Sequence, residues 1–234
     1  MENLELKNEE QVKEMNFMQR VIGIIISPTE TMKNLMEKPR ILYPILAMVF
    51  GMVLLYLIRF PVFSEYIKNN VQMTLSQSGV SLTQEQIDAA VKMAPYMAMI
   101  STPINQLLTW FISTAIIFGL IKLFKGQGSF KQYLSITGYA YTITLLYILL
   151  SLVVSFFTGE LTINSSLGLF AQSLKGSYIY GIMRSIDLFN IWYYVVIAIG
   201  VSLVSKISKA KACSIVALVY IGQILLQANS LKLM

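Results

Sequence analysis

The chain has 234 residues and a formal net charge of +6, and 56% of its residues are hydrophobic while only 13% are charged. Soluble domains carry about a quarter charged residues. Here the apolar residues fall into long blocks, so the composition predicts an integral membrane protein. The chain has no histidine and one cysteine, Cys213, which excludes an internal disulfide framework, most zinc sites and histidine-based catalysis. We therefore expect no enzymatic activity, cofactor or metal, and no nucleic-acid partner.

The N-terminal segment is predicted to be a charged tail followed by two short helices. Residues 1–15 are rich in glutamate and lack the basic start of a cleavable signal peptide. Residues 17–26 show a period near 3.6, which predicts an amphipathic helix too short to span a bilayer. We place it in the membrane interface, with packing of its apolar face on the bundle as the alternative. Ser27, Pro28 and Glu30 predict the capping box of a second helix, which Pro39 ends.

Five apolar blocks follow, each close to the ~20 residues that a helix needs to cross a hydrocarbon core of ~30 Å. The sequence therefore predicts an all-α fold, a polytopic membrane helical bundle. Residues 41–234 would form the five-helix transmembrane domain, and residues 1–40 the cytoplasmic tail and interfacial helices. The predicted spans are Ile41–Ile58, Ile104–Phe124, Tyr133–Phe157, Leu188–Val204 and Ala212–Gln227.

The linkers between the spans alternate in character. The first is long and polar, and Thr83 with Gln86 predicts the capping box of a short helix within it, before Pro103 and the second span. The second and fourth are short basic turns, and the third is a longer polar loop. Gly138 leaves open whether the third span is continuous or bent.

The distribution of lysine and arginine predicts the orientation. Cations precede the first span and fill both short turns, whereas the long linkers are sparse in them. The positive-inside rule then predicts a multi-pass cell-membrane protein with a cytoplasmic N-terminus and an extracytoplasmic C-terminus. Arg59 would lie at the outer end of the first span, where it can snorkel to the interface. The orienting cations are Lys33, Lys38, Arg40, Lys122, Lys125, Lys131, Lys206, Lys209 and Lys211.

Polar residues inside the predicted spans are costly in lipid and are candidates for function. Arg184 and Asp187 are three residues apart and are expected to pair on one helix face. The set indicates either a substrate or ion path or hydrogen bonding between helices, and we assign Gln223 and Gln227 to the second class. The candidate intramembrane polar residues are Asn105, Gln106, Arg184, Asp187 and Asn190.

Three stretches, taken in order, resemble the Yip (Ypt-interacting protein) domain family of five-span membrane proteins, and most closely its bacterial branch. Each leads into or through a predicted span: a Ser-Pro helix start, a Gly-Tyr-Ala segment, and a span that ends in a basic turn. They are IISPTETMKNLMEKPRILYPILAMVFG, GSFKQYLSITGYAY and DLFNIWYYVVIAIGVSLVSKISKAKA.

The resemblance implies five spans and a cytoplasmic N-terminus. Eukaryotic members bind prenylated small GTPases, but the Asp-Leu-Tyr-Gly-Pro stretch typical of them is missing here, where Ser27-Pro28 stands instead, so GTPase binding is not carried over. Some bacterial relatives resemble accessory subunits of exporters driven by ATP-binding cassettes.

The leading hypothesis is a non-enzymatic scaffold or accessory subunit that binds other membrane proteins, within an ATP-binding-cassette exporter complex, or that forms a homo-oligomer. One alternative is a small-solute transporter or channel with a polar site near Asp187, and another is a protein that senses or bends the lipid bilayer. The candidate partner-docking residues are Phe17, Val21, Ile22, Ile25, Pro28, Met32 and Leu35.

Overall fold

A computed structural model describes residues 14–77, 82–161 and 163–231. The predicted glutamate-rich tail lies almost wholly outside the described residues. The described chain is all-α, without a β-strand. Its helices are α1 (Phe17–Ile26), α2 (Pro28–Glu37), α3 (Leu42–Ile58), α4 (Phe60–Gln77), α5 (Gln84–Leu123), α6 (Phe130–Ala140), α7 (Thr142–Thr158), α8 (Tyr178–Ser185), α9 (Leu188–Ser205) and α10 (Lys209–Leu231).

Four helical segments are long and apolar enough to cross a membrane: α5, the α6–α7 unit, α9 and α10. The helices α3 and α4 together form a fifth candidate, but they meet at an angle of 99°. The described residues therefore contain four candidate spans, or five when the bent pair counts as one. This confirms the predicted class, an all-α polytopic membrane bundle.

Local sequence signals account for most helix starts. Asn16 and Gln19 form a reciprocal capping box at α1, Thr83 and Gln86 form one at α5, and Ser129 with Gln132 forms one at α6. The box predicted at Ser27 and Glu30 is wrong, because Ser27 occupies the cap position of α2 without a side-chain cap hydrogen bond. The hydroxyl of Thr31 instead donates to the Ser27 carbonyl oxygen at 3.1 Å.

The first linker differs most from prediction. In place of one short helix, the structure has α4 and the 40-residue helix α5, which runs through Pro95 and Pro103. The Pro103 boundary is therefore wrong. Helix α5 is about 60 Å long at 1.5 Å per residue, twice the thickness of a hydrocarbon core. Its first half packs along α4, and a ring contact of 5.7 Å joins Phe60 to Tyr96, so tertiary contacts hold this segment helical despite the prolines.

The third span is interrupted at a single residue, Tyr141, between α6 and α7. Gly138 lies just before the interruption, where a Cβ atom would be 2.5 Å from Pro44 Cβ and 3.0 Å from Trp110 Cζ2. The missing side chain thus lets α6 approach α3 and α5 closely. The main core lies where α2, α5, α6, α9 and α10 meet.

The bundle has two chemically distinct ends. At one, which we call the basic end, the amide of Gln127 donates to the Ser205 carbonyl at 2.8 Å, and the Gln132 side chain donates to the Met36 carbonyl at 2.7 Å. These contacts bring both basic turns and the end of α2 together. At the opposite end, which we call the loop end, the segment 159–187 packs beside α10, and the Tyr178 hydroxyl donates to the Leu225 carbonyl at 2.9 Å.

Candidate functional site

A buried polar pair holds α1 against α2 at the basic end. Arg20 is 4% exposed, and its Nε donates to Oδ1 of the buried Asn34 at 2.7 Å. The helices can approach because Gly23 lacks a side chain: a Cβ there would lie 2.2 Å from Thr31 Oγ1. Buried polar groups need such partners. The inward face of α1 therefore carries Arg20 and Gly23, and beside them Ile24, which is fully buried in the main core.

Much of the apolar face of α1 points away from the bundle. Phe17 is 50% exposed, Ile22 47% and Ile26 75%, while Val21 and Ile25 are half-buried. Much of this apolar face therefore lacks contact with the bundle, although Ile25 packs against the main core.

The predicted docking residues separate into two groups. Phe17 and Ile22 are exposed, and Val21, Ile25 and Pro28 are half-buried. Met32 and Leu35 are fully buried in the main core. The Met32 side chain lies close to Gly200, where a Cβ would come within 2.9 Å of Met32 Sδ. Helix α2 turns its apolar face inward, so Met32 and Leu35 do not belong to an accessible docking face.

The predicted intramembrane polar residues also fall into two groups. Asn105, Gln106 and Asn190 line a common cavity of about 400 Å³, together with Gln223 and Gln227. Amide and hydroxyl side chains supply its polar groups, and no ionisable carboxylate or ammonium group is among them. The remaining lining residues are Thr102, Thr109, Trp110, Ser113, Tyr141, Thr144, Tyr193 and Tyr194.

Arg184 and Asp187 lie outside that cavity, and the predicted pairing between them is wrong. The helix breaks between them, since α8 ends at Ser185 and α9 begins at Leu188. Asp187 caps α9 by accepting from the amides of Phe189 and Asn190 at 2.9 and 3.2 Å, and it also accepts from the Ser165 hydroxyl.

Arg184 instead fastens the loop end. Its Nη1 donates to Asn164 Oδ1 at 2.9 Å and to Ser166 Oγ at 3.2 Å. With Asp187 capping the next helix, the two charged residues tie the loop 159–187 to the start of α9. These hydrogen bonds indicate a structural role for both residues.

Gln223 and Gln227 also line the cavity, although the sequence assigned them only to hydrogen bonding between helices. They are four residues apart and so share one helix face, and the Tyr194 hydroxyl donates to Gln223 Oε1. The spacing was a usable signal, but only the packing of α10 beside α5 and α9 turns that face toward Asn105 and Asn190.

A second, apolar groove of about 440 Å³ runs between α9 and α10. Small side chains form part of its lining: Ala198 and Ser202 from α9, and Cys213 and Ala217 from α10. Cys213 is exposed. Ala198 and Ser202 are four residues apart, a spacing that permits close helix approach, and both line the open groove.

At the other end of the first span, Arg59 lies half-buried at the bend between α3 and α4. Its Nη2 donates to the Ser155 carbonyl at 2.6 Å, and its guanidinium lies 4.5 Å from the centroid of the Phe156 ring.

Within the part of the chain that the structure describes, no group of three or more histidine, cysteine, aspartate or glutamate side chains is placed to hold a metal ion.

The fold and these surfaces define a polytopic α-helical membrane protein. The chain belongs to the Yip1 domain family, whose sequence profile matches residues 22–228. It is 24% identical over 202 residues to the membrane protein YknW of Bacillus subtilis strain 168. The aligned region covers 86% of this chain and 85% of that protein. No solved structure matches the chain. The profile match confirms the resemblance carried by the three sequence stretches.

Proposed function

We propose that this Yip-family membrane protein is a non-enzymatic scaffold or accessory subunit that binds other membrane proteins within the bilayer. The observation that carries the proposal is the open apolar groove between α9 and α10. Helix association in membranes depends on close packing, because lipid supplies no hydrophobic driving force between helices. Small residues allow that close approach, and Ala198, Ser202 and Ala217 supply them here.

The occupant that we propose is a transmembrane helix of a partner. The partner class to test first is the membrane subunit of an exporter driven by an ATP-binding cassette, which the family resemblance suggests. A second copy of this chain is the competing occupant. The exposed face of α1, formed by Phe17, Ile22 and Ile26, would contribute a further contact at the bilayer surface.

The native cysteine makes the groove directly testable. A photoactivatable crosslinker attached to Cys213 in native membranes should capture a defined partner helix, identified by mass spectrometry of the crosslinked peptides. The matched control moves the thiol to an exposed position of the same helix outside the groove, as C213S/I221C, and should capture lipid or nothing.

A substitution that fills the groove should abolish the crosslink. Ala217→Trp adds bulk at an exposed position, so we expect the fold to survive while capture falls at least tenfold. Crosslinks confined to copies of this chain would establish a homo-oligomer. Equal capture from Cys213 and from I221C would refute a specific helix site.

The alternative function, a small-solute transporter or channel, is favoured by the cavity of about 400 Å³ around Asn105, Gln106 and Asn190. Its lining suits a neutral polar solute, since polar groups inside a membrane mark substrate paths. The site would be centred on Gln223 and not on Asp187. Solute flux into proteoliposomes should then be lost in N105L/Q227L and kept in D187N; flux that is absent from the wild type would eliminate this function.

The orientation is a proposal of its own. The basic end holds both lysine-rich turns, so the positive-inside rule assigns it to the cytoplasm. A cysteine introduced at Lys125 in a C213S background should react with a membrane-impermeant maleimide only after the cells are opened. Labelling of intact cells would reverse the topology.

A further inference from the structure

A third cavity, of about 450 Å³, lies at the basic end between α1, the start of α3 and α6. Arg20, Arg40 and Lys131 contribute three cations to its lining, and among the described residues no acidic side chain lines it. Arg40 and Lys131 are exposed, whereas Arg20 is almost fully buried. The cavity is therefore a positively charged recess in a protein that spans a membrane.

The state of Arg20 is the unusual feature. A buried charge is normally compensated by an opposite charge, because desolvation is expensive. Arg20 has a hydrogen bond to the neutral amide of Asn34 and electrostatic contact with the Tyr139 hydroxyl. Among the described residues the exposed carboxyl of Glu14 interacts electrostatically with Arg20, but its ion pair is with Lys38, so no described carboxylate pairs directly with Arg20 to compensate its buried charge. An anion in the cavity would do so.

The apolar part of the lining indicates what kind of anion fits. Phe17, Leu42 and Leu46 line the same cavity, and all three are about half or more exposed. Leu42 and Leu46 are one turn apart on the first apolar helix, so their surface runs from the cationic recess along α3 into the span. A compact inorganic anion would leave this strip bare, whereas an amphiphile with an anionic head and a hydrocarbon tail covers both parts.

We propose that this cavity binds one anionic phospholipid. The headgroup phosphate accepts hydrogen bonds from Arg20, with Arg40 and Lys131 adding charge, and an acyl chain lies along Phe17, Leu42 and Leu46. Guanidinium groups bind phosphate with two parallel hydrogen bonds, and basic pockets between membrane helices are suited to acidic headgroups. The lipid would brace α1, whose apolar face lies in the same layer of the membrane.

The test uses the full-length chain purified in mild detergent and examined by native mass spectrometry with added phosphatidylglycerol or phosphatidylcholine. We expect one phosphatidylglycerol to be retained in preference to phosphatidylcholine. The double variant R40Q/K131Q changes two exposed residues, so the fold is preserved, and retention should weaken about tenfold or more, the loss of about one charge-assisted contact.

The matched control is K33Q/K211Q, which removes the same charge from two exposed lysines that do not line the cavity. Its phosphatidylglycerol retention should equal that of the wild type. Equal losses in both double variants would mean diffuse attraction and would overturn the site, as would equal retention of the two lipids. Displacement of the lipid by glycerol 3-phosphate at similar concentration would overturn the role of the acyl chain, and would leave a site for soluble phosphates.

Discussion

Helices α1 and α2 are consecutive and of equal length, ten residues each, yet they expose different kinds of surface, apolar on α1 and polar on α2. Helix α2 buries Met32 and Leu35 in the core, as an amphipathic helix on a soluble protein would. Helix α1 buries Arg20, Gly23 and Ile24 and exposes Phe17 and Ile22. An amphipathic pattern therefore defines two faces, but it does not say which face meets protein when lipid is available to the other.

The largest expected effect tests the inward face of α2. Leu35→Ala removes a fully buried side chain and should lower the free energy of unfolding by about 2–5 kcal/mol, because the cavity left behind has no other atoms to fill it. Thermal unfolding in detergent, with Ile22→Ala on α1 as the matched control, measures the difference. Ile22→Ala should change the free energy by less than about 0.5 kcal/mol, and equal effects would contradict the opposite packing of the two helices.

The next effect tests the inward face of α1. Arg20→Met keeps much of the side-chain length but leaves the buried amide of Asn34 without the guanidinium, and such losses cost about 1–3 kcal/mol. The same unfolding assay should show little change for Arg40→Met, since Arg40 is exposed. If Arg20→Met were as stable as the wild type, the buried polar pair would not be what holds α1 in place.

A smaller effect on stability, but a clear one on location, is expected for the outward face of α1. We attach a spin label to I22C in a C213S background. Its relaxation rate should be raised more by molecular oxygen, which partitions into lipid, than by a water-soluble nickel complex, because Ile22 lies on the exposed apolar face. The control label at Lys33, exposed on α2, should show the reverse. Preference of both labels for the water-soluble probe would remove α1 from the bilayer and with it the bilayer-sensing hypothesis.

The smallest effect concerns the exposed ion pair between Lys38, which ends α2, and Glu14, which precedes α1. The hydrogen bond from Lys38 and its charge lower the pKa of the Glu14 carboxyl. A lowered pKa contributes stability above the unfolded-state value, and this is lost as the pH falls through the folded-state value. Because both groups are exposed, solvent screens the pair, and Glu14→Gln should leave the melting temperature unchanged across that acid range. A marked drop specific to the wild type on acidification would show that the pair fastens the two helices.

The transmembrane elements could be predicted closely because hydropathy acts over a whole helix. The predicted Leu188–Val204 span differs from α9 by one residue, and α10 contains the whole of the predicted last span. The boundary at Pro103 failed for the opposite reason. A proline rule describes one residue in isolation, whereas packing along α4, including the contact between Phe60 and Tyr96, keeps α5 helical through it.

The sequence identified several residues of the candidate sites, but it did not predict which of them lie together. Asn105, Gln106 and Asn190 were recognised as polar residues in apolar helices, and they do line one cavity. Arg184 and Asp187 were grouped with them by sequence spacing, but the break after Ser185 turns the two charges toward the loop 159–187. The apolar groove around Cys213 gave no sequence signal beyond a common small-residue spacing.

The sequence by itself determined that this is an all-α membrane protein that resembles the Yip family. It also determined which stretches are apolar enough to be candidate spans, because length and hydropathy are properties of single helices. It further determined the capping boxes at Thr83 and Ser129, which are local. Only the tertiary structure decided which face of α1 is buried, which polar residues share a cavity, and that Arg20, Arg40 and Lys131 line one recess. Each of these depends on how separate helices are placed against one another, and close approaches at Gly23, Gly138 and Gly200 set that placement.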